Sequence, residues 1–481
     1  MKSTAEVCEI LARLEEKSDV NDFRVGEIAL WPLFRHVLWV ELLRAESVEG
    51  QGATTGSARI VSGARKLSGV WRQTIVHPEN RTDVSRASVL FVSRPVYLQH
   101  LDEENLYFDR IIDPLVFIAR KHYSVAKAYI GHVPGDRRLF FPGVPLLRKV
   151  AWHPVPDRNS ISRWVKDIAH QARLNDGQLL ARFLTALNHF DGWHRAGRSL
   201  FDSMPQIKRL YLTSWYFPDM MGLTASAKEA GIDVIDVQHG KQGKYQGMYS
   251  WWTRIPQDGY RMMPDRFWCW GRPSCDDILR TSPNRTTHRP FVGGYPWIDW
   301  YRTFINKEAV RPKAGRTILF TLQGPQGKSG EPIPDFIVSF LQDDRYSDWL
   351  IRFRNHPNFT TGLDYCARRL SSVDRRRFEI ADQNRNLYDE FLGSTHHITG
   401  YSSCCYEAES FGVPTLLFGE EAQSIYEADI ARGRFAWTRG VTSDLIEWLE
   451  QSSLKDVQPS DQYIESSLAL ASSMLAADIP V

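Results

Sequence analysis

One stretch of the chain carries hydroxyl and carboxyl groups at a spacing that suits nucleotide binding. Residues 400–418 read as a strand end, a Gly-Ser-Ser turn that opens a helix, a glycine stop and a new buried strand. Unpaired backbone N–H groups in the first helical turn, with the hydroxyls of Ser402 and Ser403 beside them, predict a phosphate-binding site. Glu407 follows one turn later, within predicted reach of a ribose hydroxyl. The sequence therefore predicts a protein that holds a nucleotide.

Two further groups of polar residues follow predicted strands in the same half of the chain. We expect His356 to donate a hydrogen bond to a nucleotide phosphate and Arg354 to neutralise its charge, after the strand predicted at 349–353. Gly324 follows the strand predicted at 317–322, where the missing side chain lets backbone amides approach a phosphate. Each motif alone is equally typical of an ordinary loop. Their succession at strand ends predicts a nucleotide-binding domain.

The first half of the chain offers a carboxylate and an imidazole at the end of the strand predicted at 232–237. A buried carboxylate is costly unless it is hydrogen-bonded or catalytic, so we expect Asp236 to act as a base or a nucleophile. His239 is the second candidate, as a base, a donor to a phosphate or the group that orients Asp236. The alternative is a structural Asp-His pair that caps a turn.

Aromatic and acidic residues follow the neighbouring predicted strand at 210–213. We expect Trp215 and Tyr216 to stack on the sugar rings of an acceptor, and Asp219 to bind its hydroxyl groups. These three residues would lie on the same edge as Asp236. The sequence thus predicts an acceptor site beside the catalytic residues.

Two runs of alternating strands and helices position all of these residues. Such alternation predicts an α/β fold with two Rossmann-like doubly wound domains, each built on a parallel sheet that helices cover on both faces. Ligands bind such sheets at the carboxyl ends of the strands, so we expect a shared cleft there. The predicted strands are 87–93, 125–130, 210–213, 232–237 and 267–270 in the first run, and 317–322, 349–353, 378–380, 397–399 and 415–418 in the second.

The pattern predicts four segments along the chain. Residues 1–80 are expected to form an N-terminal helical appendage, and residues 81–295 the acceptor-binding, catalytic domain. Residues 296–455 are expected to bind the nucleotide donor, and residues 456–481 to form a helical tail. The helical pattern near the end of the chain could pack across both domains.

The composition of the chain indicates which kinds of partner and which cellular compartment to expect. With 481 residues and a formal net charge of +2, the chain suits two domains and gives no reason to expect nucleic acid as a partner. The six cysteines show no C-x-x-C spacing, and residues 1–18 do not read as a signal peptide, so we predict reduced thiols and a cytoplasmic protein. The interrupted apolar stretch 28–43 is expected to be a core helix, with an amphipathic membrane anchor as the alternative.

The acidic residues do not predict a metal site. The pairs at 276–277 and 343–344 read as solvated helix or turn positions rather than as ligands. We therefore predict neither a metal nor a cofactor, with the nucleotide entering as part of the substrate.

Several short motifs, taken together, resemble a known family. They are D-x-Q-H-G at 236–240, G-x-Y at 247–249, Trp-Gly at 270–271, G-G-Y-P at 293–296, His-Pro at 356–357 and G-Y-S-S-x-x-x-E-A at 400–408. In order and spacing they resemble the bacterial glycosyltransferases of capsule and lipopolysaccharide synthesis, which have the GT-B fold. The similarity is greatest to the branch of Kdo transferases and bacterial sialyl- and polysialyltransferases, and it covers about residues 85–450.

The resemblance implies a metal-independent glycosyltransferase with a CMP-linked donor, such as CMP-Kdo or a related ulosonic acid. It implies that His356, Ser402 and Ser403 hold the donor phosphate and that Glu407 holds the ribose or the base. The implied partners are a nucleotide-activated sugar and a glycan or lipid-linked glycan acceptor. The third candidate partner is the surface of the inner membrane, to which the protein would bind peripherally.

The sequence leaves open both the reaction mechanism and several other classes of activity. Sialyltransferases carry acidic residues directly before the glycine where this chain has Gln238 and His239, so inverting base catalysis and a double displacement through Asp236 are both retained. A glycerophosphotransferase that uses CDP-glycerol resembles the same His-Pro and Ser-Ser pattern. A second alternative is an epimerase that acts on a sugar nucleotide, which would need no acceptor. A third is an inactive scaffold, which would need none of the site residues.

Overall fold

The computed structural model describes residues 3–44, 86–101, 106–131, 133, 138–146, 158–282, 285–305, 315–323, 332–355, 362–381, 385–452 and 463–477. Two predicted nucleotide ligands, Gly324 and His356, lie outside the described residues, as do residues 45–80 of the predicted appendage.

Strands and short helices alternate through most of the described chain. The strands are β1 Arg24–Val25, β2 Ile28–Ala29, β3 Val89–Ser93, β4 Leu98–His100, β5 Leu106–Asp109, β6 Val125–Ile130, β7 Arg138–Leu139, β8 Val144–Leu146, β9 Arg209–Thr213, β10 Asp233–Val237, β11 Arg266–Cys269, β12 Arg289–Val292, β13 Arg316–Thr321, β14 Trp349–Arg354, β15 Phe378–Ile380, β16 His396–Thr399, β17 Thr415–Phe418 and β18 Ala436–Thr438. The α-helices are α1 Thr4–Lys17, α2 Trp31–Arg44, α3 Asp113–Ala119, α4 Arg158–Ala172, α5 Asp176–Asp202, α6 Pro218–Glu229, α7 Arg272–Arg280, α8 Trp297–Trp300, α9 Asp335–Gln342, α10 Gly362–Arg369, α11 Leu387–Leu392, α12 Cys404–Ser410, α13 Glu420–Ile425, α14 Glu427–Ala431, α15 Thr442–Gln451 and α16 Leu468–Ala477.

Two parallel sheets form the framework of the molecule. The first has seven strands in the order β12-β11-β10-β9-β3-β6-β8, and the second has six in the order β15-β14-β13-β16-β17-β18. All neighbouring strands in both sheets run parallel. Within each sheet the first strand along the chain is central, and the order reverses beside it, between β3 and β9 and between β13 and β16. This is the Rossmann arrangement, so the predicted fold, GT-B with two Rossmann-like domains, is confirmed.

The predicted strands are all present, and the differences lie at the sheet edges. Apolar runs such as those of β3 and β9 are buried along their whole length, as strands of a parallel sheet covered on both faces must be. The sequence did not predict the outermost strands β8, β12 and β18. Two of these contain a proline, Pro145 in β8 and Pro290 in β12, and proline within a short run argues against a strand except at an edge.

The N-terminal helices correct the predicted domain boundary. Trp31, Phe34 and Leu38 of α2 are buried in the same apolar core as residues of α5 and of the first sheet. The phenyl ring of Phe34 lies 4.8 Å from that of Phe183 in α5, centroid to centroid. Residues 3–44 are therefore a layer of the first domain, and the prediction of an appendage is wrong for them. The prediction that the apolar stretch 28–43 is a core helix is confirmed.

The end of the described chain returns to the first domain. Helix α15 packs on α9 in the second domain, whereas α16 packs on α3 in the first. The Glu465 N–H donates to the Trp270 carbonyl at 2.9 Å, and the Tyr295 N–H donates to the Glu465 carbonyl at 2.7 Å. One apolar cluster contains side chains of both sheets, including Val237 and Leu417, so the two domains share a core.

Two other predictions concern the environment of the chain. All six cysteines are free thiols in the structure, as predicted. Among the described residues, no helix combines the length and the apolar character needed to cross a membrane.

Candidate functional site

The carboxyl ends of the two sheets meet where the loop after β10 faces the turn before α12. A Cβ atom built on Gly240 would lie 3.8 Å from Ser403 Oγ. His239, Gly240, Ser402 and Ser403 are all half-buried, so this meeting point is partly open to solvent. We call it the junction. It brings the predicted acceptor-side loop next to the predicted donor-side turn.

Asp236 lies on β10 and has no exposed surface. Its Oδ1 accepts a hydrogen bond from the Trp215 N–H at 3.1 Å, and its Oδ2 accepts one from the Tyr249 hydroxyl at 2.8 Å. Burial raises the pKa of this carboxyl well above its ordinary value, against the opposing effect of the two hydrogen bonds. Because both oxygens are bonded and enclosed, the carboxyl does not reach the junction. This corrects its predicted role: Asp236 holds two loops in place rather than attacking a sugar.

His239 lies directly at the junction. Its Nε2 is 3.2 Å from the hydroxyl oxygen of Tyr216, and the ring of Tyr97 lies 5.6 Å away, centroid to centroid. Burial, and then the positive charges of Arg110 and Arg94, lower the pKa of His239 to about 3. The imidazole is therefore neutral near pH 7 and is able to accept a proton. Of the two residues predicted to be catalytic, His239 is the one that lies at the junction.

The loop after β9 is held in an unusual backbone conformation. Ser214 has a φ of 58°, in the left-handed region that side chains other than glycine rarely adopt. Its Oγ lies 2.6 Å from the Tyr97 hydroxyl oxygen. Strain of this kind costs about 1–3 kcal/mol and persists only where surrounding contacts enforce it. With Ser214 in this conformation, Trp215 turns inward and Tyr216 faces His239.

The predicted acceptor residues divide into buried and accessible ones. Trp215 has no exposed surface and packs in the core of the first domain, so the prediction that it stacks on a sugar is wrong. Asp219 is 6% exposed and its carboxylate pairs with Arg94, which leaves it little access to substrate hydroxyls. Tyr216 is half-buried, and Phe217, which the sequence did not single out, is 37% exposed. The accessible aromatic surface is thus formed by Tyr216 and Phe217.

On the donor side, the two predicted serines open helix α12. Ser402 Oγ accepts a hydrogen bond from the Cys404 N–H at 3.3 Å, whereas the Ser403 side chain makes no capping hydrogen bond to the helix. Arg354 ends β14, is half-buried and donates to the Arg385 carbonyl at 2.7 Å. These groups supply hydroxyl donors and a positive charge at the carboxyl end of the second sheet.

Glu407 is fully buried and its carboxylate is already occupied. Its Oε1 is 3.0 Å from Nη1 of Arg110, a residue of the first domain, and accepts hydrogen bonds from Tyr388 at 2.7 Å and Tyr295 at 3.3 Å. A buried carboxylate needs such partners to offset the loss of water. The predicted contact of Glu407 with a ribose or base is therefore not available in this arrangement. The residue instead joins the two domains.

Lys241, one residue beyond Gly240, makes a second connection between the domains. Its Nζ donates to the Tyr406 hydroxyl at 3.0 Å and to the Ile425 carbonyl at 2.9 Å, and it lies 3.8 Å from the centre of the Tyr426 ring. Asp429 is 3.7 Å away. Both Arg110 and Lys241 therefore extend from the first domain into polar sites of the second, beside the junction.

Comparison with known proteins adds the following findings. No family model matches the sequence, and no curated protein matches it either. Solved structures do resemble it. A UDP-GlcNAc 2-epimerase from Methanocaldococcus jannaschii, in complex with UDP-GlcNAc and UDP, has a TM-score of 0.49 and 11% identity, covering 81% of this chain and 98% of its own. A UDP-GlcNAc 2-epimerase from Neisseria meningitidis bound to UDP-GlcNAc has a TM-score of 0.46 and 13% identity, covering 81% and 98%.

The same comparison finds the wall teichoic acid polymerase TagF, with a TM-score of 0.40 and 14% identity, covering 82% of this chain and 84% of that one. Likenesses this distant assign no activity to the present chain. Its function has to be argued from the junction itself.

Three charged residues of the site were not predicted from the sequence. Arg94 follows β3 directly, at the point where the strand order reverses, and that position was a usable signal. Arg110 and Lys241 had no such signal, because what gives them a role is contact with residues far along the chain. Within the described residues there is no cluster of side chains suited to a metal ion.

Proposed function

We propose that this chain transfers a sugar from a nucleotide-activated donor to a glycan acceptor, with the donor held by the second domain and the acceptor by the first. One observation carries the proposal: the half-buried His239-Gly240 loop lies against Ser403 where the carboxyl ends of two Rossmann-like sheets meet. A ligand spanning this junction would touch an imidazole on one side and hydroxyl groups on the other. Ligands of such sheets bind at this edge.

On the donor side, Ser402, Ser403 and Arg354 offer two hydroxyls and a guanidinium to a phosphate. Hydrogen bonds to a charged phosphate are stronger than those between neutral groups, and they would stabilise the leaving nucleotide as the glycosidic bond breaks. Gly324 and His356 remain predicted ligands of the same phosphate. Among donors we rank a CMP-linked sugar first, because the His-Pro and Ser-Ser motifs resemble those that hold CMP in the Kdo and sialyltransferase branch.

On the acceptor side, His239 is the group placed to take the proton of the attacking hydroxyl. A neutral imidazole accepts a proton, but a pKa of about 3 makes it a weak base in the ligand-free site. Arg110 and Arg94 contribute to that low pKa, and a bound anionic phosphate would offset their charges. Burial, the largest cause of the low pKa, would remain, but donor binding would remove the part that comes from the two arginines. His239 would thus be a stronger base with the donor bound than without it.

The acceptor itself would be a sugar that stacks on the accessible aromatic surface. Phe217 is the exposed ring, with the Arg94 guanidinium 4.4 Å from its centre, and Tyr216 links this surface to His239. Aromatic faces bind the apolar faces of sugar rings. This arrangement favours a glycan acceptor.

The first experiment identifies the nucleotide. We expect one of CMP, CDP, UMP, UDP, GDP and dTDP to raise the thermal unfolding midpoint, because a ligand at 100 times its Kd stabilises the folded state by about 2.7 kcal/mol. The purified protein is then incubated with the matching nucleotide sugar, or with CDP-glycerol, each with and without glycan acceptors. All products are weighed by mass spectrometry, and isomers of equal mass are distinguished by NMR spectroscopy.

The products distinguish the proposed activity from its alternatives. An acceptor heavier by one sugar supports the proposal. Conversion of the donor to an isomer of equal mass without acceptor would identify an epimerase, and transfer of glycerol phosphate from CDP-glycerol would identify a glycerophosphotransferase. If none of the six nucleotides changed the unfolding midpoint, the proposal would be withdrawn.

A further inference from the structure

A buried arginine of the N-terminal layer holds one loop of the first domain by its backbone. Arg35 of α2 donates from Nε to the Gly247 carbonyl at 3.0 Å, and from Nη2 to the carbonyls of Ser250 at 3.1 Å and Trp251 at 3.0 Å. Its guanidinium lies 4.3 Å from the centre of the Trp252 ring. Three carbonyls within five residues are thus fixed by one side chain. We call residues 247–253 the gripped loop.

A buried carboxylate completes this contact from the other N-terminal helix. Glu15 of α1 pairs with Arg35, and neither side chain is exposed. Its Oε1 also accepts from the Trp31 indole N–H at 2.7 Å, and its Oε2 accepts from the Thr253 N–H at 2.7 Å. The far end of the gripped loop is therefore also tied to the N-terminal layer.

The middle of the gripped loop carries the residue that binds Asp236. The Tyr249 hydroxyl donates to Asp236 Oδ2 at 2.8 Å, and Asp236 Oδ1 in turn accepts from the Trp215 N–H at 3.1 Å. Tyr216, the next residue, contacts His239 at the junction. Hydrogen bonds at each end, joined by the backbone of the gripped loop, therefore connect Arg35 to the loop that faces His239.

Helix α2 also contacts that loop directly. His36, adjacent to Arg35, has its ring 5.7 Å from that of Tyr216 and 5.5 Å from that of Phe217, centroid to centroid. Of these two neighbouring residues of α2, Arg35 thus contacts the gripped loop and His36 contacts the loop of Trp215 and Tyr216. The close approach leaves no spare space, since a Cβ on Gly247 would lie 2.5 Å from the Trp39 ring.

We propose that helix α2 is a positioning element of the site, in which Arg35 fixes the gripped loop so that Tyr249 holds Asp236 and, through it, the loop of Trp215 and Tyr216. The inference rests on the proposed function for its catalytic consequence, but not for its structural one. It gives the N-terminal layer, which lies outside the family resemblance, a role in the chemistry.

Attachment of the helix alone does not require this arginine. Helix α2 already buries Trp31, Phe34 and Leu38 in the core of the first domain. Replacing a buried ion pair by apolar residues of similar volume is often neutral or stabilising, so the pair is weak evidence for stability. A guanidinium is distinguished by its fixed, directional donors, which set the position of a loop.

The test compares two variants of the same helix. Arg35→Lys keeps a positive charge opposite Glu15 but cannot donate to the three carbonyls together. Leu38→Ala, three residues further along α2 and also fully buried, serves as the control for loss of core packing. Hydrogen exchange of the peptide that contains the Trp215 amide is measured by mass spectrometry in both variants, at equal distance below each unfolding midpoint.

We expect Arg35→Lys to speed exchange at Trp215 about tenfold more than Leu38→Ala does, because the hydrogen bond from that amide is held through the gripped loop. In the transfer assay we expect the kcat of Arg35→Lys to fall about 10- to 100-fold at unchanged nucleotide affinity, because small displacements of reacting groups lower the rate by such factors. In a Tyr249→Phe background, Arg35→Lys should cause little further loss of kcat, whereas Leu38→Ala should act additively.

The exchange rates and the kcat values decide whether Arg35 positions the loop. Equal exchange and equal kcat in Arg35→Lys and Leu38→Ala would overturn the inference, and so would faster exchange with full kcat in an active enzyme. If the wild-type protein transferred no sugar, the proposed function would fail. The exchange at Trp215 would then decide by itself whether Arg35 positions the loop.

Discussion

The two sheets share one strand order, yet their carboxyl ends carry different chemistry. The end of the first sheet presents a carboxyl whose pKa is raised by burial, Asp236, and an imidazole whose pKa is lowered to about 3, His239. The end of the second presents the hydroxyls of Ser402 and Ser403 and the guanidinium of Arg354. Topology places a site at each end, but the residues that follow the strands decide what it does. In the function that we propose, the first sheet supplies proton transfer and the second supplies phosphate binding.

The connections between the domains show the same asymmetry. Arg110 and Lys241 extend from the first domain into the second, where Glu407 and the Tyr406 hydroxyl receive them. Both cations end in enclosed polar sites, so each would lose its partners if the domains separated. The second domain thus uses one of its predicted ligand residues, Glu407, to bind its neighbour.

The largest expected effect is on turnover at the first sheet. We predict that His239→Asn lowers kcat by about 10²- to 10⁴-fold, the usual contribution of a general base, with nucleotide affinity close to that of the wild type. The assay is sugar transfer combined with nucleotide-induced shifts of the unfolding midpoint. His122→Asn, on an exposed imidazole, is the matched control. Full turnover by His239→Asn would remove the imidazole from the mechanism and the contrast between the two sheets with it.

Asp236 separates a positioning role from a nucleophilic one. Asp236→Ala leaves the Trp215 N–H without its partner, so we expect it to lose about 1–3 kcal/mol of unfolding free energy, measured by urea titration. Asp236→Asn keeps one carbonyl oxygen for that N–H, and the Tyr249 hydroxyl can rotate to accept from the amide. We therefore predict that the Asn variant retains measurable transfer. Complete loss of transfer in a stable Asn variant would restore the nucleophilic role.

At the second sheet the expected effect is on affinity. We predict that the double variant Ser402→Ala, Ser403→Ala binds the nucleotide about tenfold more weakly, equivalent to about one hydrogen bond. We expect its kcat at saturation to fall less than that of His239→Asn, because the same hydroxyls also stabilise the leaving nucleotide. Isothermal titration measures the Kd. Ser410→Ala, at the last turn of the same helix, is the control. A large fall of kcat with unchanged Kd would place chemistry on the second sheet and reverse the comparison.

The fold was predictable because its strands are locally encoded. Runs such as those of β9 and β17 are short, mostly apolar and buried, and each is followed by a short turn and a helix. The position of the junction followed from the rule that ligands bind at the carboxyl ends of parallel strands. The N-terminal layer was not predictable in this way, because an apolar helix such as α2 does not reveal in its sequence which surface it covers.

The roles of individual site residues were less predictable, for the same reason. Asp236 is bound by Trp215 and Tyr249, 21 and 13 residues away, and Glu407 by Arg110, 297 residues away. Residue type and position relative to a strand identified Asp236 as an acid that is costly to bury and Glu407 as a ligand of a ribose. Only the packed structure shows which partners stabilise them, and therefore that neither is directed at a substrate.

The smallest expected effect is on how the unfolding free energy depends on pH, measured for one histidine of each domain. His397 on β16 lies between Thr321 and Thr415, its ring nitrogens 2.9 and 3.0 Å from their hydroxyl oxygens, and burial lowers its pKa to about 3. Its pKa in the unfolded chain is about 6.5, so between pH 6.5 and 3 only the unfolded state takes up the proton. The unfolding free energy therefore falls as the pH falls, by up to about 1.4 kcal/mol per pH unit for this histidine.

We predict that His397→Gln flattens this pH dependence in urea titrations between pH 7 and pH 4, although it lowers stability at pH 7. His239→Asn should flatten it to a similar degree, since the pKa of His239 is lowered to the same value. The two variants should differ in turnover, because His397 lies inside the sheet and His239 at the junction. Stability curves of His397→Gln and wild type that stay parallel down to pH 4 would show that His397 is not held neutral by the fold.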